Sequence, residues 1–236
     1  MSTVYLIPSL LHEEGTNAIP VYVLDAIKDC SVFFVENERT TRRYFKQLWK
    51  TYLPESAIVI DDHEWVLIDE KAGSIFRQKI KEGKNIGIVS EAGCPGVADP
   101  GQVLVTIAQQ MGARVKPLVG PSSILLALMA SGMNGQQFSF AGYLPIDITE
   151  RANAIKEQEQ LSARYKSTQI FIETPYRNNQ LLETMLKTCQ DKTRICVAVN
   201  LTGRTESIRT MTVAQWKSQV PDLHKKPAIF LLYAEP

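Results

Sequence analysis

The sequence predicts an α/β fold made of two α/β domains, the first around a mostly parallel sheet and the second around a mixed one. Three observations predict it. Short runs rich in β-branched and aromatic residues alternate with amphipathic stretches through the first half of the chain. After "SGMNGQQ" (Ser131–Gln137) the rhythm changes, and strand-like runs fall closer together. The 236 residues, 44% apolar and 22% charged, supply material for one large α/β domain or two small ones and exclude the disordered and fibrous classes.

In chain order, "TVYLI" (Thr3–Ile7), "SVFFV" (Ser31–Val35), "AIVI" (Ala57–Ile60), "NIGIV" (Asn85–Val89) and "RVKPLV" (Arg114–Val119) read as the strands of the first half. Helices fill the gaps. Ala18–Asp29 carries Pro20 in its first turn, where a missing N–H does no harm. "ERTTRRYFKQLWK" sets Tyr44, Phe45, Leu48 and Trp49 at helical spacing, and Glu64–Lys81 reads as a helix ending at Gly83. The boundary is expected at Gly120–Pro121, giving domains 1–119 and 120–236, with "SSILLALMASG" opening the second as a helix. There follow a strand at Phe138–Leu144, a polar helix over Thr149–Lys166, and strands at "QIFIE", "RICVAVN" and "AIFLLYA". Hairpin-length connections between these last runs predict a mixed or antiparallel sheet.

Lys plus Arg number 26 against 25 Asp plus Glu, a net charge of +1, so a nucleic-acid partner requires a local basic patch. The four cysteines form no CxxC pair, and with three histidines no zinc spacing can be assembled, so no metal is expected. Reduced thiols, the absence of a basic n-region and an apolar stretch too short for a bilayer predict a soluble cytoplasmic protein with no membrane partner.

Between the fourth strand and its helix lies "SEAGCPGVADPG" (Ser90–Gly101). Gly93, Gly96 and Gly101 let backbone approach a ligand while Pro95 and Pro100 fix the path, and ligands of open α/β sheets bind at the carboxyl ends of strands. A purely structural turn fits the same residues. "VGPSS" repeats the arrangement after the fifth strand, with Ser122 and Ser123 either capping a helix or touching a ligand. Neither loop is a P-loop or a GxGxxG fingerprint, which removes support for nucleoside triphosphates and nicotinamide cofactors. In "VENERTTRR" Glu36 ends a strand, and Arg39, Arg42, Arg43, Lys46 and Lys50 gather on one helix side, as a solvated face or as phosphate contacts.

Taken together these segments resemble one family. "SEAGCPGVADPG" is similar to its Ser-Asp-Ala-Gly-Thr-Pro-x-x-Ser-Asp-Pro-Gly signature, and "PLVGPSSILLALMASG" to its Pro-Gly-Pro-Ser segment with the following helix. "FSFAGYLP", "IFIETPYR" and "VENERTTRR" resemble its Phe-x-Phe-x-Gly-Phe-Leu-Pro, Phe-Tyr-Glu-Ser-Pro-His-Arg and Glu-Asp-Thr-Arg-x-Thr motifs, in order along nearly the whole chain. The family is the tetrapyrrole methylase superfamily of S-adenosylmethionine-dependent methyltransferases, in the branch of the small-subunit ribosomal RNA 2′-O-methyltransferases. The resemblance implies two α/β domains with S-adenosyl-L-methionine in a cleft between them, and a homodimer. It implies cofactor contacts at Pro8, at Ala92, Gly93, Cys94 and Val97, and at Ser122 and Ser123. In the second domain it implies Glu173 and Thr174, Asn200 and Leu201, and Pro227 and Ala228.

The chain departs from the family where "IPSLLHEEG" replaces Thr-Pro-Ile-Gly-Asn-Leu, keeping Pro8 and moving the glycine to Gly15, in the loop that shapes the substrate entrance. Asn37 and Glu38 stand for Asp and Thr, Cys94 for Thr, and the chain stops at Pro236, short of a C-terminal extension many ribosomal members carry. Methyl transfer from a sulfonium asks the protein mainly to hold donor and acceptor in line. For a ribose hydroxyl a nearby base helps: Glu36 is the candidate, with Arg39, Arg42 and Arg43 on the substrate and His63 a weaker alternative. Three functions stay open: ribose 2′-O-methylation of ribosomal small-subunit RNA, methylation of a tetrapyrrole or other small molecule, and non-catalytic binding of the cofactor or its demethylated product.

Overall fold

Val32–Val35 and Ile86–Val89 are buried at every position, and in the computed structural model they occupy the interior of a five-stranded parallel sheet. The structure describes residues 2–56 and 58–235. In chain order the strands are β1 (Thr3–Ile7), β2 (Val32–Val35), β3 (Glu64–Leu67), β4 (Ile86–Val89) and β5 (Arg114–Pro117), arranged β3-β2-β4-β1-β5. The crossovers carry α1 (Val23–Asp29), α2 (Glu38–Tyr52), α3 (Ala72–Lys81) and α4 (Gln102–Gln110). Alternation along the strands splits the core into two layers. Tyr5, Ile7, Phe33, Val35 and Val89 pack with α1 and α2, while Val4, Val32, Phe34, Ile86 and Ile88 pack with α3 and α4. Phe33 lies opposite Gly87 in the ladder, and a Cβ on that glycine would stand 2.5 Å from the Phe33 ring. The small residue makes room for the large one.

The chain divides after Ser122 into two compact units, residues 1–122 and 123–236. In the second, β6 (Phe138–Tyr143), β7 (Thr168–Ile172), β8 (Arg194–Val199), β9 (Ser207–Thr212) and β10 (Ala228–Tyr233) form a sheet in the order β6-β7-β10-β8-β9. Only the β6–β7 pair is parallel. The helices are α5 (Ser123–Ser131), α6 (Ile148–Tyr165), α7 (Asn178–Thr188) and α8 (Val213–Lys217). One sheet face packs Phe171, Ile195, Val197 and Phe230 against α6, α7 and the buried Trp216 of α8, whose indole N–H donates to Ile195 O at 2.8 Å. Helix α5 packs against β8, β9 and β10. The mixed second sheet and parallel first sheet are those the sequence predicts.

Four expectations need correction. The expected strand Ala57–Ile60 has its first residue outside the described ones, and Ile60–Asp62 forms a 3₁₀ turn. The third strand is instead Glu64–Leu67, inside the expected helix Glu64–Lys81, which shrinks to α3. Asp69 marks the change: its Oδ1 accepts the Lys71 and Ala72 N–H groups at 2.8 and 3.1 Å, starting the helix there. The helix expected from Ala18 starts at Val23, because Thr16–Ala18 is a 3₁₀ turn and Pro20 lies between the two. In the second half only β8–β9 is joined without a helix, and β9 is a strand the sequence reading missed. Its run "SIRTMT" has little apolar content because it is an edge strand.

Candidate active site

All strands of the first sheet run one way, so the loops after β1, β2, β4 and β5 share its carboxyl edge. Ser9 and Gly93 pair as an isolated antiparallel bridge, with N–H to O distances of 2.8 and 3.2 Å, which staples the first loop to the glycine loop. Ser9 Oγ adds a bond to Ser90 O at 2.6 Å. Pro8, buried at the end of β1, accepts the Tyr44 hydroxyl at its carbonyl at 2.6 Å. A Cβ on Gly120 would lie 2.1 Å from Pro8 Cβ, so the β5 loop and the first loop touch through a position only glycine allows. Gly93 takes a φ of +70°, and Cys94, half-buried, sets its sulfur 3.6 Å from Pro121 O. Burial raises the Cys94 thiol above its ordinary value. Val97 closes a turn onto Cys94 O at 3.3 Å with an exposed side chain; Ala92 is exposed as well, and Ser122 ends the edge.

Asp99 organises the second half of the glycine loop. Its Oδ1 accepts the Gly96 and Gly101 N–H groups at 3.1 and 2.6 Å, and its Oδ2 is buried without a hydrogen-bond partner among the described residues. Glu36, just past β2, accepts the Glu91 N–H at 3.0 Å. Partial desolvation raises the Glu36 carboxyl above the ordinary carboxylate range, and the neighbouring Asp99 and Glu91 carboxylates push the same way against the Glu91 N–H. Thr40 donates to Glu91 Oε1 at 2.6 Å. Residues 9–13, Thr40, Arg43, Tyr44 and Gln47 of α2, and Ser90–Ala92 surround a cleft of about 330 Å³.

Helix α2 is capped by Asn37, whose Oδ1 accepts the Arg39 and Thr40 N–H groups at 3.0 and 3.2 Å, and its apolar side buries Tyr44, Phe45, Leu48 and Trp49. The cations stand on the other side. Arg42 is engaged, donating to Glu38 and Asp61 at 2.7 and 2.6 Å with its guanidinium 4.8 Å from the Trp65 ring. Arg39, Arg43 and Lys46 are exposed without an ion pair among the described residues, and with Arg42 and Glu38 they line an open groove of about 600 Å³. His63 serves the core: its Nδ1 lies 3.1 Å from Cys30 O and its ring packs against Phe33.

In the second unit the ends of β7 and β8 and the start of β10 lie at one sheet edge, through the pairs Ile172–Ile229 and Val199–Ala228. The second group of expected site residues gathers there. Glu173 is buried; its Oε1 takes the Thr174 N–H at 2.7 Å and the Arg177 guanidinium at 3.0 and 2.6 Å, while its Oε2 has no partner among the described residues. Asn178 Nδ2 donates to Lys226 O at 2.7 Å, leaving its buried Oδ1 unpaired. The Asn200 N–H reaches Pro227 O at 3.0 Å, with Asn200 and Thr202 in left-handed backbone at φ of +51° and +70°. Leu201 is buried, and Ala228 is the first residue of β10. Ser123 opens α5. Sequence reasoning missed Asp99, Glu91, Arg177, Asn178 and Thr202; Glu91 and Asp99 stand inside the quoted glycine signature, and the others follow strand ends.

Edges of this kind, with backbone held in left-handed turns and buried acceptors left open, fit a small ligand rich in donors, and by its family and relatives the chain is an S-adenosylmethionine-dependent methyltransferase. More closely, the chain belongs to the family of Tetrapyrrole (Corrin/Porphyrin) Methylases, which matches residues 15–216. The Ribosomal RNA small subunit methyltransferase I of Vibrio cholerae is 31% identical over 234 residues, covering 97% of this chain and 75% of that protein. The protein of the same name from Bacillus subtilis is 32% identical over 216 residues, covering 91% and 69%. Among solved structures, diphthine synthase superposes with a TM-score of 0.66 at 13% identity, covering 99% of this chain and 90% of that one. The methyltransferase CobJ gives 0.62 at 16%, covering 99% and 93%. At such identities the likeness is one of fold.

Proposed function

We propose that this chain methylates RNA of the small ribosomal subunit at a ribose 2′-hydroxyl, in the cytoplasm. The observation that carries the reading is the basic side of α2, where Arg39, Arg43 and Lys46 stand uncompensated next to the glycine-loop edge. Its context is the name of the relatives that match over most of the chain. A chain with a net charge of +1 gains little from its overall field, so a local cluster of this kind is what a phosphate backbone requires.

In this reading S-adenosylmethionine supplies a methyl group on a cationic sulfur. The residues proposed to contact it are Pro8, Ala92–Cys94, Val97, Ser122–Ser123, Glu173–Thr174, Asn200–Leu201 and Pro227–Ala228. The unpaired Glu173 Oε2 accepts a hydrogen bond from one of its amino or hydroxyl groups. Glu36 takes the proton of the ribose hydroxyl, its raised proton affinity making it a stronger base than an ordinary carboxylate. Arg39 and Arg43 hold the phosphates, and Arg42 braces α2 against Asp61 and Trp65.

Incubation of small-subunit particles with methyl-labelled cofactor, followed by digestion to nucleosides, tests the proposal. The expected label is on a 2′-O-methylated nucleoside, and Glu36→Gln lowers the rate about a hundredfold or more. Label on a base, or transfer to a corrinoid precursor with none to RNA, overturns it.

We also propose a homodimer. Leu125, Met129, Phe138, Tyr143, Ile146 and Ile148 of the second unit are each at least 42% exposed within one short stretch that includes the edge strand β6. Sedimentation equilibrium is expected to give twice the 26.5 kDa chain mass, and a monomer at micromolar concentration rejects it.

A further inference from the structure

Arg43 belongs to two surfaces at once. It lines the cleft of about 330 Å³ between the first loop, α2 and Ser90–Ala92, and it lines the open groove of about 600 Å³ with Arg39 and Lys46. The first volume lies at the lower end of small-ligand sites, room for one nucleoside and not for a stacked pair. The groove is open and cationic, suited to a chain of phosphates.

The polar inventory of the cleft has specific vacancies in its hydrogen bonding. Gln47 spends its Nε2 on Glu13 O and Thr16 Oγ1 at 2.7 and 2.6 Å, so its Oε1 remains an acceptor without a partner among the described residues. The Glu14 N–H donates to His12 Nδ1 at 3.3 Å, with Glu14 Oε2 3.7 Å from the same nitrogen, and His12 Nε2 has no partner among the described residues. Tyr44 and Ser9 have their hydroxyls committed to Pro8 O and Ser90 O. Gln47 Oε1, His12 Nε2 and the unpaired Arg43 guanidinium therefore line a nucleoside-sized space, together with the Glu13 and Glu91 carboxylates and the Thr40 and Thr41 hydroxyls.

We infer that this cleft receives the acceptor nucleotide of single-stranded RNA, extruded from its neighbours, with Arg43 on its phosphate and Gln47 and His12 against its base. The inference rests on the RNA methyltransferase reading and adds the subsite and the residues that choose the nucleotide. Extrusion costs a few kcal/mol of stacking in a duplex and least in a single strand, which is why an unpaired segment is the substrate. Flanking phosphates then follow Arg39 and Lys46 along the groove.

The test uses the full chain with S-adenosylhomocysteine present. The four nucleosides, their 5′-monophosphates and a short single-stranded oligoribonucleotide carrying 2-aminopurine are titrated against wild type, Arg43→Ala and Gln47→Leu. The 5′-monophosphates are expected to bind about tenfold tighter than the nucleosides, a difference lost in Arg43→Ala. Gln47→Leu weakens nucleoside and nucleotide alike. The oligonucleotide binds tighter still, with a steeper salt dependence, and its 2-aminopurine brightens on binding as it unstacks. Equal affinity for nucleoside and monophosphate, or an unchanged difference in Arg43→Ala, overturns the inference. An oligonucleotide no tighter than a mononucleotide marks a free-nucleotide site and overturns it too. The heat of S-adenosylhomocysteine binding, measured alongside, separates these outcomes from failure of the methyltransferase reading, which would remove that heat.

Discussion

Glu36 sits where two demands meet. Its carboxylate fastens the glycine loop through the Glu91 N–H, and the same position leaves it partly desolvated and near Asp99, which raises its affinity for a proton. A carboxyl whose folded-state pKa is raised binds its proton more tightly in the native than in the unfolded chain. Its contribution to stability is therefore full below the ordinary carboxylate pKa and is lost as pH rises to the raised value. Glu36→Gln keeps an acceptor for the Glu91 N–H and removes the titration, so its melting temperature is expected to fall less than that of wild type as pH rises from about 4, the ordinary carboxylate pKa, through the raised value. Parallel curves for the two proteins would show that Glu36 carries no shifted proton. The cysteines play no comparable part: burial raises the thiols of Cys30, Cys94, Cys189 and Cys196 alike, so none is poised as a thiolate.

At the scale of elements, the edge of the first sheet depends on loops pressed together more closely than side chains permit. Gly120 against Pro8 is the tightest of these approaches, and the proline ring cannot swing away as a flexible side chain would. Gly120→Ala is expected to cost about 1 to 3 kcal/mol of stability, read from denaturant unfolding, and to weaken cofactor binding as the loops part. Wild-type stability and affinity in that variant would mean the loops close with room to spare. Sequence made some elements plain and hid others. The buried strands β2 and β4 announce themselves by continuous β-branched and aromatic runs, and α2 by aromatics at helical spacing over a capping Asn37. Edge strands lack that signal. Glu64–Leu67 is half exposed and continues into helix-like sequence, and Ser207–Thr212 is mostly polar, so one is mistaken for helix and the other passes unnoticed. The glycine loop stands out in the sequence as either a ligand loop or a structural turn, but the Asp99 carboxylate that ties it, and the unpaired oxygens of Glu173 and Asn178, emerge only from three-dimensional hydrogen bonding.

As a whole, the molecule joins a parallel sheet and a mixed sheet in one chain of the tetrapyrrole methylase family, and in each unit the residues proposed as cofactor contacts stand along a single sheet edge. The methyltransferase CobJ and diphthine synthase share that fold, and where one fold serves several functions the loops and surface charge distinguish them. In the proposed function those features are the first loop, with Pro8 and His12, and the exposed cations of α2. The most direct measurement is a calorimetric titration of the full chain with S-adenosylhomocysteine, set beside Gly93→Val and Glu173→Leu. One molecule bound per chain, with affinity reduced about tenfold or more by each substitution, is the predicted result. No heat with the wild type, or equal heat from all three proteins, would contradict it.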